Sequence, residues 1–220
     1  MTKRVRMAVG TVLIAMFTAA PAIGQPAAAP AQVDLSARLK DVQSNPSRME
    51  AMYKTGRKVA AFCANCHGDG GNSVKPDVPN LAGQNAYYLL AQVREFSTTQ
   101  RKSNEFKKRL VNVMSADEKI GMVVFYAAQA VTVKPPSDPA LVKRGGELYA
   151  KRCAECHEQD GRGTREYSRI AGQQTVYLTT SLKGYRDGSG PRLDREMVKE
   201  VKPLNDADIA AIVAYVSTMN

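Results

Sequence analysis

The chain has 220 residues, with 31 Lys and Arg against 21 Asp and Glu for a formal net charge of +10, and only four Cys and two His. So small a stock of thiols and imidazoles excludes any site that needs many of either. The basic balance favours acidic partner surfaces, and no recognisable nucleic-acid-binding motif accompanies it, so nucleic acid is not an expected partner.

A basic lead of Lys3, Arg4 and Arg6 is followed by an apolar run from Met7 to Ala20 and by small residues around Ala20-Pro21-Ala22. This is the three-part layout of a secretory signal peptide, expected over 1–24 with cleavage near Ala22 or Gly24. The apolar run falls short of the roughly 20 residues a membrane-spanning helix needs. Membrane association is therefore expected only through partners or an uncleaved leader. Residues 25–47 are rich in Ala, Pro, Gln and Ser, with one short helical stretch at Leu35 to Val42, and read as a flexible tether. The remainder, about 170 residues, suits two small domains better than one. These are 48–131 and 140–220, divided by a linker at 132–139 in which Pro135, Pro136 and Pro139 forbid a continuing helix.

Each domain holds one pentapeptide, Cys63-Ala64-Asn65-Cys66-His67 and Cys153-Ala154-Glu155-Cys156-His157, and together these contain every Cys and His of the chain. C-x-x-C-H is the spacing that attaches a c-type haem: two thiols form thioethers with the haem vinyl groups, and the adjacent imidazole falls beneath the iron. Two covalently attached haem c groups are the expected cofactors. Cys63, Cys66, Cys153 and Cys156 would hold them, with His67 and His157 as proximal iron ligands. A structural zinc site wants four ligands where each pentapeptide offers three. A thioredoxin-like pair wants a preceding strand, whereas the residues before each motif read as helix. Disulfides would leave both histidines idle. Haem attachment to cysteine is expected in an oxidising compartment, which makes the bacterial periplasm the natural address. Domains of about 80 residues bury little apolar surface unaided, so the haem would supply much of each core.

The two domains repeat one another. Gly56 to Cys63 matches Gly146 to Cys153, Leu81-Ala82-Gly83-Gln84 matches Ile170-Ala171-Gly172-Gln173, Tyr88-Leu89 matches Tyr177-Leu178, and Ile120 to Tyr126 matches Ile209 to Tyr215. Each closing helix follows a polar stretch able to cap it and place negative charge in its first turn: Ser115, Asp117 and Glu118 in one, Asn205, Asp206 and Asp208 in the other. No alternating run marks a sheet, and the fold class is all-α.

With these elements, the halves resemble class I cytochrome c domains in tandem, and the L-A-G-Q element before a Tyr-containing helix resembles the dihaem cytochrome c4 family. The resemblance implies that the first and last helices of each domain cross closely, Gly56 meeting Tyr126 and Gly146 meeting Tyr215. It also implies a methionine sixth ligand about eight residues before the closing cap. Met197 fits that place in the second domain, where a neutral thioether would favour ferrous iron.

The first domain departs from the pattern. Counting back from Ser115 gives Lys107, and aligning on Tyr126 gives Lys108. The open choices are Lys107 or Lys108, Met114 or Met122 after a loop rearrangement, and an open or water-bound position. Lysine ligates only as the neutral amine, so its pKa must fall well below about 10.4. An amine favours ferric iron more than a thioether does, and the first haem is expected to have the lower potential.

Basic residues gather at Arg101-Lys102, at Lys107-Lys108-Arg109 and between Lys183 and Arg195, where they would steer docking onto acidic redox partners. The expected function is single-electron transfer in the periplasm. The donor would be a quinol-oxidising complex or a dehydrogenase, and the acceptor a terminal oxidase or reductase, with the haem carrying the chemistry and the protein positioning it. The competing readings are a haem enzyme whose first haem, at His67, is the catalytic or ligand-binding site, and the electron-accepting subunit of a periplasmic dehydrogenase.

Overall fold

Side-chain caps start several of the helices. The computed structural model describes residues 33–98, 105–133, 135, 138–192 and 194–220. The expected leader at 1–24, the Arg101-Lys102 pair and part of the linker lie outside them. Every regular element among the described residues is helical.

The first half runs α1 (Leu35–Gln43), α2 (Pro46–His67), a 3-10 turn (Asp69–Gly71), α3 (Ala86–Ser97), α4 (Glu105–Val113) and α5 (Ala116–Ala127). The second runs α6 (Pro139–Arg152), α7 (Ala154–His157), α8 (Thr175–Asp187), α9 (Arg195–Val201) and α10 (Asp206–Thr218). Asn45 and Asp138 cap α2 and α6, each followed by a proline in the first turn, where its missing N–H costs nothing. Both closing helices open with a capping box. Ser115 Oγ accepts from the Glu118 N–H at 3.2 Å while Glu118 accepts from the Ser115 N–H at 2.7 Å. Asn205 and Asp208 exchange the same pair at 2.9 and 3.2 Å. Caps of this kind contribute about 1 kcal/mol each.

The opening and closing helices of each half cross, α2 on α5 and α6 on α10. A Cβ placed on Gly56 would lie 1.9 Å from the Gly121 carbonyl oxygen, and one on Gly145 would lie 2.0 Å from that of Ala211. Only glycine permits such an approach. Of the two expected contacts, Gly146 does meet the Tyr215 ring, whereas Gly56 with Tyr126 needs correcting. Gly56 faces Phe125, while the Tyr126 ring packs over Gly71. The backbone crossing of the second half belongs to Gly145, leaving Gly146 beside the edge of the Tyr215 ring. The cause is a register shift of one: the capping boxes align Ser115 with Asn205, and hence Phe125 with Tyr215 and Tyr126 with Val216.

Each crossing anchors its own apolar cluster, one around Leu39, Leu90, Ile120 and Tyr126, the other around Tyr149, Ile209, Ile212 and Val216. The tether expected over 25–47 is not one between Leu35 and Gln43. Leu35, Leu39 and Val42 recur at helical spacing, so α1 has an apolar face. Leu39 and Val42 belong to the first core, Leu39 with no exposed surface, and Arg38 is ion-paired with Asp117 beside the α5 cap.

Val33–Asn220 forms one compact unit. Contacts that join its halves include the Tyr177 N–H donating to the Pro76 carbonyl at 2.9 Å and the Arg165 guanidinium stacked 3.7 Å from the Tyr87 ring centroid.

Candidate functional site

The first pentapeptide forms the last turn of α2, where positions 63, 66 and 67 share one helix face. Gly68, at φ +77°, turns the chain away immediately after His67. In the second half the helix breaks at Cys153, and α7 is a separate turn ending at His157. There Glu158 takes the turn-away position at φ 63° and ψ 164°, a region natural to glycine. Its carbonyl is held by the Tyr149 hydroxyl at 2.6 Å.

Both histidines are fixed in the same way. His67 Nδ1 lies 2.9 Å from the Pro79 carbonyl oxygen, and His157 Nδ1 lies 2.9 Å from that of Ser168. A carbonyl only accepts, so each Nδ1 carries the proton and each Nε2 keeps its lone pair for a metal. Burial is the main force holding both imidazoles below their ordinary pKa range and therefore neutral, as a ligand must be. The opposing effect comes from the same carbonyl bonds, and the Lys107 charge adds to the lowering at His67.

None of the four thiols is in a disulfide. Burial raises the Cys63 pKa and pushes that of Cys153 up to about 12. Among the described residues no three His, Cys, Asp or Glu side chains converge to hold a bare metal ion.

Other features fit a haem. Phe62 and Phe106, more than half exposed, stand 6.4 Å apart beside the first pentapeptide and offer apolar surface to a large flat group. In the second half Arg192 donates to the Tyr177 hydroxyl at 2.7 Å and also faces Tyr185 and, from the other half, Tyr88. A cation among phenols suits an acidic group on a bound ligand, such as a haem propionate. Arg192 lies within the basic stretch between Lys183 and Arg195, but its phenol neighbours are brought to it only by the fold.

The distal candidates sort themselves. Met197 is the third residue of α9 and packs half-buried against the second core. Lys107, also half-buried, is the third residue of α4, with its ammonium 5.6 Å from the Phe96 ring centroid and close enough to His67 to act on its charge. The cap alignment therefore pairs Lys107, rather than Lys108, with Met197. Met122 sits within α5 and packs on the first core, and Met114 directly precedes the Ser115 cap. The basic stretch of the second half is partly neutralised, since Lys183 and Arg186 each contact Asp206 at 2.7 Å.

Comparison with known proteins agrees with this geometry. The cytochrome c family model matches residues 53–119 and 142–220, one segment for each half. The cytochrome c4 of Azotobacter vinelandii is 31% identical over 186 residues, covering 75% of this chain and 88% of that protein. The crystal structure of reduced recombinant cytochrome c4 from Pseudomonas stutzeri superposes with a TM-score of 0.68 at 26% identity, covering 76% of this chain and 98% of that one. A protein of Thiomonas intermedia named as a thiosulfate dehydrogenase electron acceptor is 30% identical over 146 residues, covering 59% of this chain and 65% of that protein.

Proposed function

This chain belongs to the cytochrome c family, in its dihaem c4 group, with two covalently attached haem c groups, and from that premise we propose that it carries single electrons between respiratory proteins in the periplasm. Each haem supplies a one-electron ferric/ferrous couple. Cys63 and Cys66 would hold the first through thioether bonds, and Cys153 and Cys156 the second. His67 and His157 ligate iron through Nε2, and their Nδ1 bonds to Pro79 and Ser168 fix the ring planes. Met197 supplies the second sixth ligand. Lys107 would supply the first as a neutral amine, its ammonium proton released to solvent. A nitrogen ligand at the first site and a thioether at the second would leave the first haem the lower in potential.

The observation that carries this reading is the matched pair of histidines, each with Nδ1 engaged and Nε2 available. The test is redox titration of the exported protein with haem content measured in parallel. Two haems per chain, two one-electron steps and no ligand binding during turnover support a carrier. One haem per chain, or catalytic consumption of a small molecule by the purified protein, contradicts it.

A second reading, the electron acceptor of a periplasmic dehydrogenase, is favoured by the likeness to the Thiomonas intermedia protein. It specifies the donor and leaves the chemistry unchanged. Rapid reduction by a purified thiosulfate dehydrogenase supports it, and reduction no faster than with an unrelated cytochrome counts against it.

A further inference from the structure

The glutamine that closes each L-A-G-Q element reaches into the opposite half. Gln173 Oε1 accepts from the Asn80 N–H at 2.7 Å, and its Nε2 donates to the Asn80 carbonyl at 3.1 Å. Gln84 does the same in reverse: Oε1 accepts from the Arg169 N–H at 2.7 Å, and Nε2 donates to the Arg169 carbonyl at 2.8 Å. All four residues are buried, with between 5% and 8% of their surface exposed. The main chain is presented identically on both sides. Leu81 and Ala82 N–H groups bond the Gly71 carbonyl at 2.8 and 3.1 Å, and Ile170 and Ala171 bond that of Gly161 at 2.8 and 3.0 Å.

Asn80 and Arg169 each follow the residue whose carbonyl receives a histidine. One peptide group therefore serves both contacts. The Pro79–Asn80 amide has its carbonyl on His67 and its N–H on Gln173; the Ser168–Arg169 amide has its carbonyl on His157 and its N–H on Gln84. An amide whose N–H is engaged by a good acceptor carries more negative charge on its oxygen, because hydrogen bonds in series polarise one another. An imidazole that donates to a stronger acceptor is in turn a more basic ligand and favours ferric iron.

We infer that Gln84 and Gln173 are crossed positioning residues, each setting through one shared peptide group the proximal histidine of the other half. This rests on reading His67 and His157 as iron ligands. The two couplings are not equal. The Asn80 side chain is tied as well, donating to the Gly172 carbonyl at 3.0 Å and accepting from the Ser73 N–H at 2.8 Å and from Gln174 Nε2 at 3.0 Å. Arg169 Nε is buried without a hydrogen-bond partner. The His67 side is the more tightly set.

The test compares the holoprotein with Gln173→Leu and Gln84→Leu. It measures the potential of each haem and, in the reduced diamagnetic state, the solvent exchange of each histidine Nδ1–H by nitrogen-15 NMR. With Gln173→Leu, the His67 haem is expected to rise in potential and the His67 Nδ1–H to exchange faster, while His157 keeps its wild-type values. Gln84→Leu gives the mirror result. Shifts confined to the substituted half, equal shifts in both halves, or none at all overturn the crossing. Should the leucine variants fail to mature, Gln173→Glu and Gln84→Glu, buried and protonated, keep a donor for the same carbonyl and offer the N–H a weaker acceptor than the amide oxygen. They should move the opposite Nδ1–H resonance upfield and leave the near one in place; the reverse pattern overturns the inference. If the wild-type protein lacks two histidine-ligated haems, the functional reading fails first. If it has both and the crossed shifts are missing, this inference alone fails.

Discussion

Lys107 and Met197 occupy the same station in the two halves, each the third residue of the short helix before the closing helix and each eight residues ahead of a capping box. On the proposed function, the two halves would therefore offer iron different ligands at corresponding positions. Lys107→Met is expected to give the first haem a thioether ligand, raise its potential towards that of the second, and double the methionine-to-iron charge-transfer band in the far red. Lys107→Ala is expected to leave that iron high-spin and open to cyanide. A Lys107→Ala protein with an unchanged ferric spectrum would remove Lys107 as a ligand.

The helix crossings set an order of tolerance among glycines. In Gly56→Ala and Gly145→Ala the new methyl would meet backbone atoms at 1.9 and 2.0 Å, so whole helices must move apart. A loss of about 3 kcal/mol or failure to accumulate holoprotein is expected. In Gly146→Ala the nearest atom is the Tyr215 ring edge at 3.2 Å, and a small shift suffices. Denaturant unfolding of the three holoproteins checks the order, and Gly146→Ala proving worse than Gly145→Ala would contradict the crossing described.

Glu158 is the one non-glycine residue at positive φ among the described residues, at the place held by Gly68 in the first half. Glu158→Gly should relieve backbone strain and raise stability by about 1 kcal/mol. The reciprocal change, Gly68→Ala, puts a methyl 1.9 Å from the Asn72 carbonyl oxygen and should be strongly destabilising. Thermal unfolding of both variants reads the two effects directly.

Charge reversal should be felt unevenly. Lys183 shares Asp206 with Arg186, so part of its field is already neutralised locally. Lys108→Glu is expected to slow association with an acidic redox partner several-fold at low ionic strength, and Lys183→Glu to slow it less, both differences fading as salt screens them. Stopped-flow electron transfer across a salt series measures this; equal slopes for both variants would contradict it.

Much of this was legible in the sequence because covalent chemistry leaves rigid spacing. C-x-x-C-H, the caps at Ser115 and Asn205, and the recurrence of L-A-G-Q are local patterns, and the all-helical fold with one haem per half followed from them. The one-residue register of the closing helices was legible only in part: the caps at Ser115 and Asn205 pair Tyr215 with Phe125, the shared ring pairs it with Tyr126, and the crossings at Gly56 and Gly145 decide for the caps. The packing of α1 was missed because Leu39 looks unremarkable in an Ala- and Ser-rich stretch until a core is there to receive it. The task of Gln84 and Gln173 was hidden for the same reason, since their partners are backbone groups in the other half.

Electron paramagnetic resonance combined with near-infrared magnetic circular dichroism of the ferric protein tests the central claim most directly. Two low-spin centres are expected, one with histidine and methionine, the other with histidine and an amine, neither altered by cyanide or peroxide. A high-spin centre that binds either one would contradict the carrier and place an enzyme site at the haem held by His67.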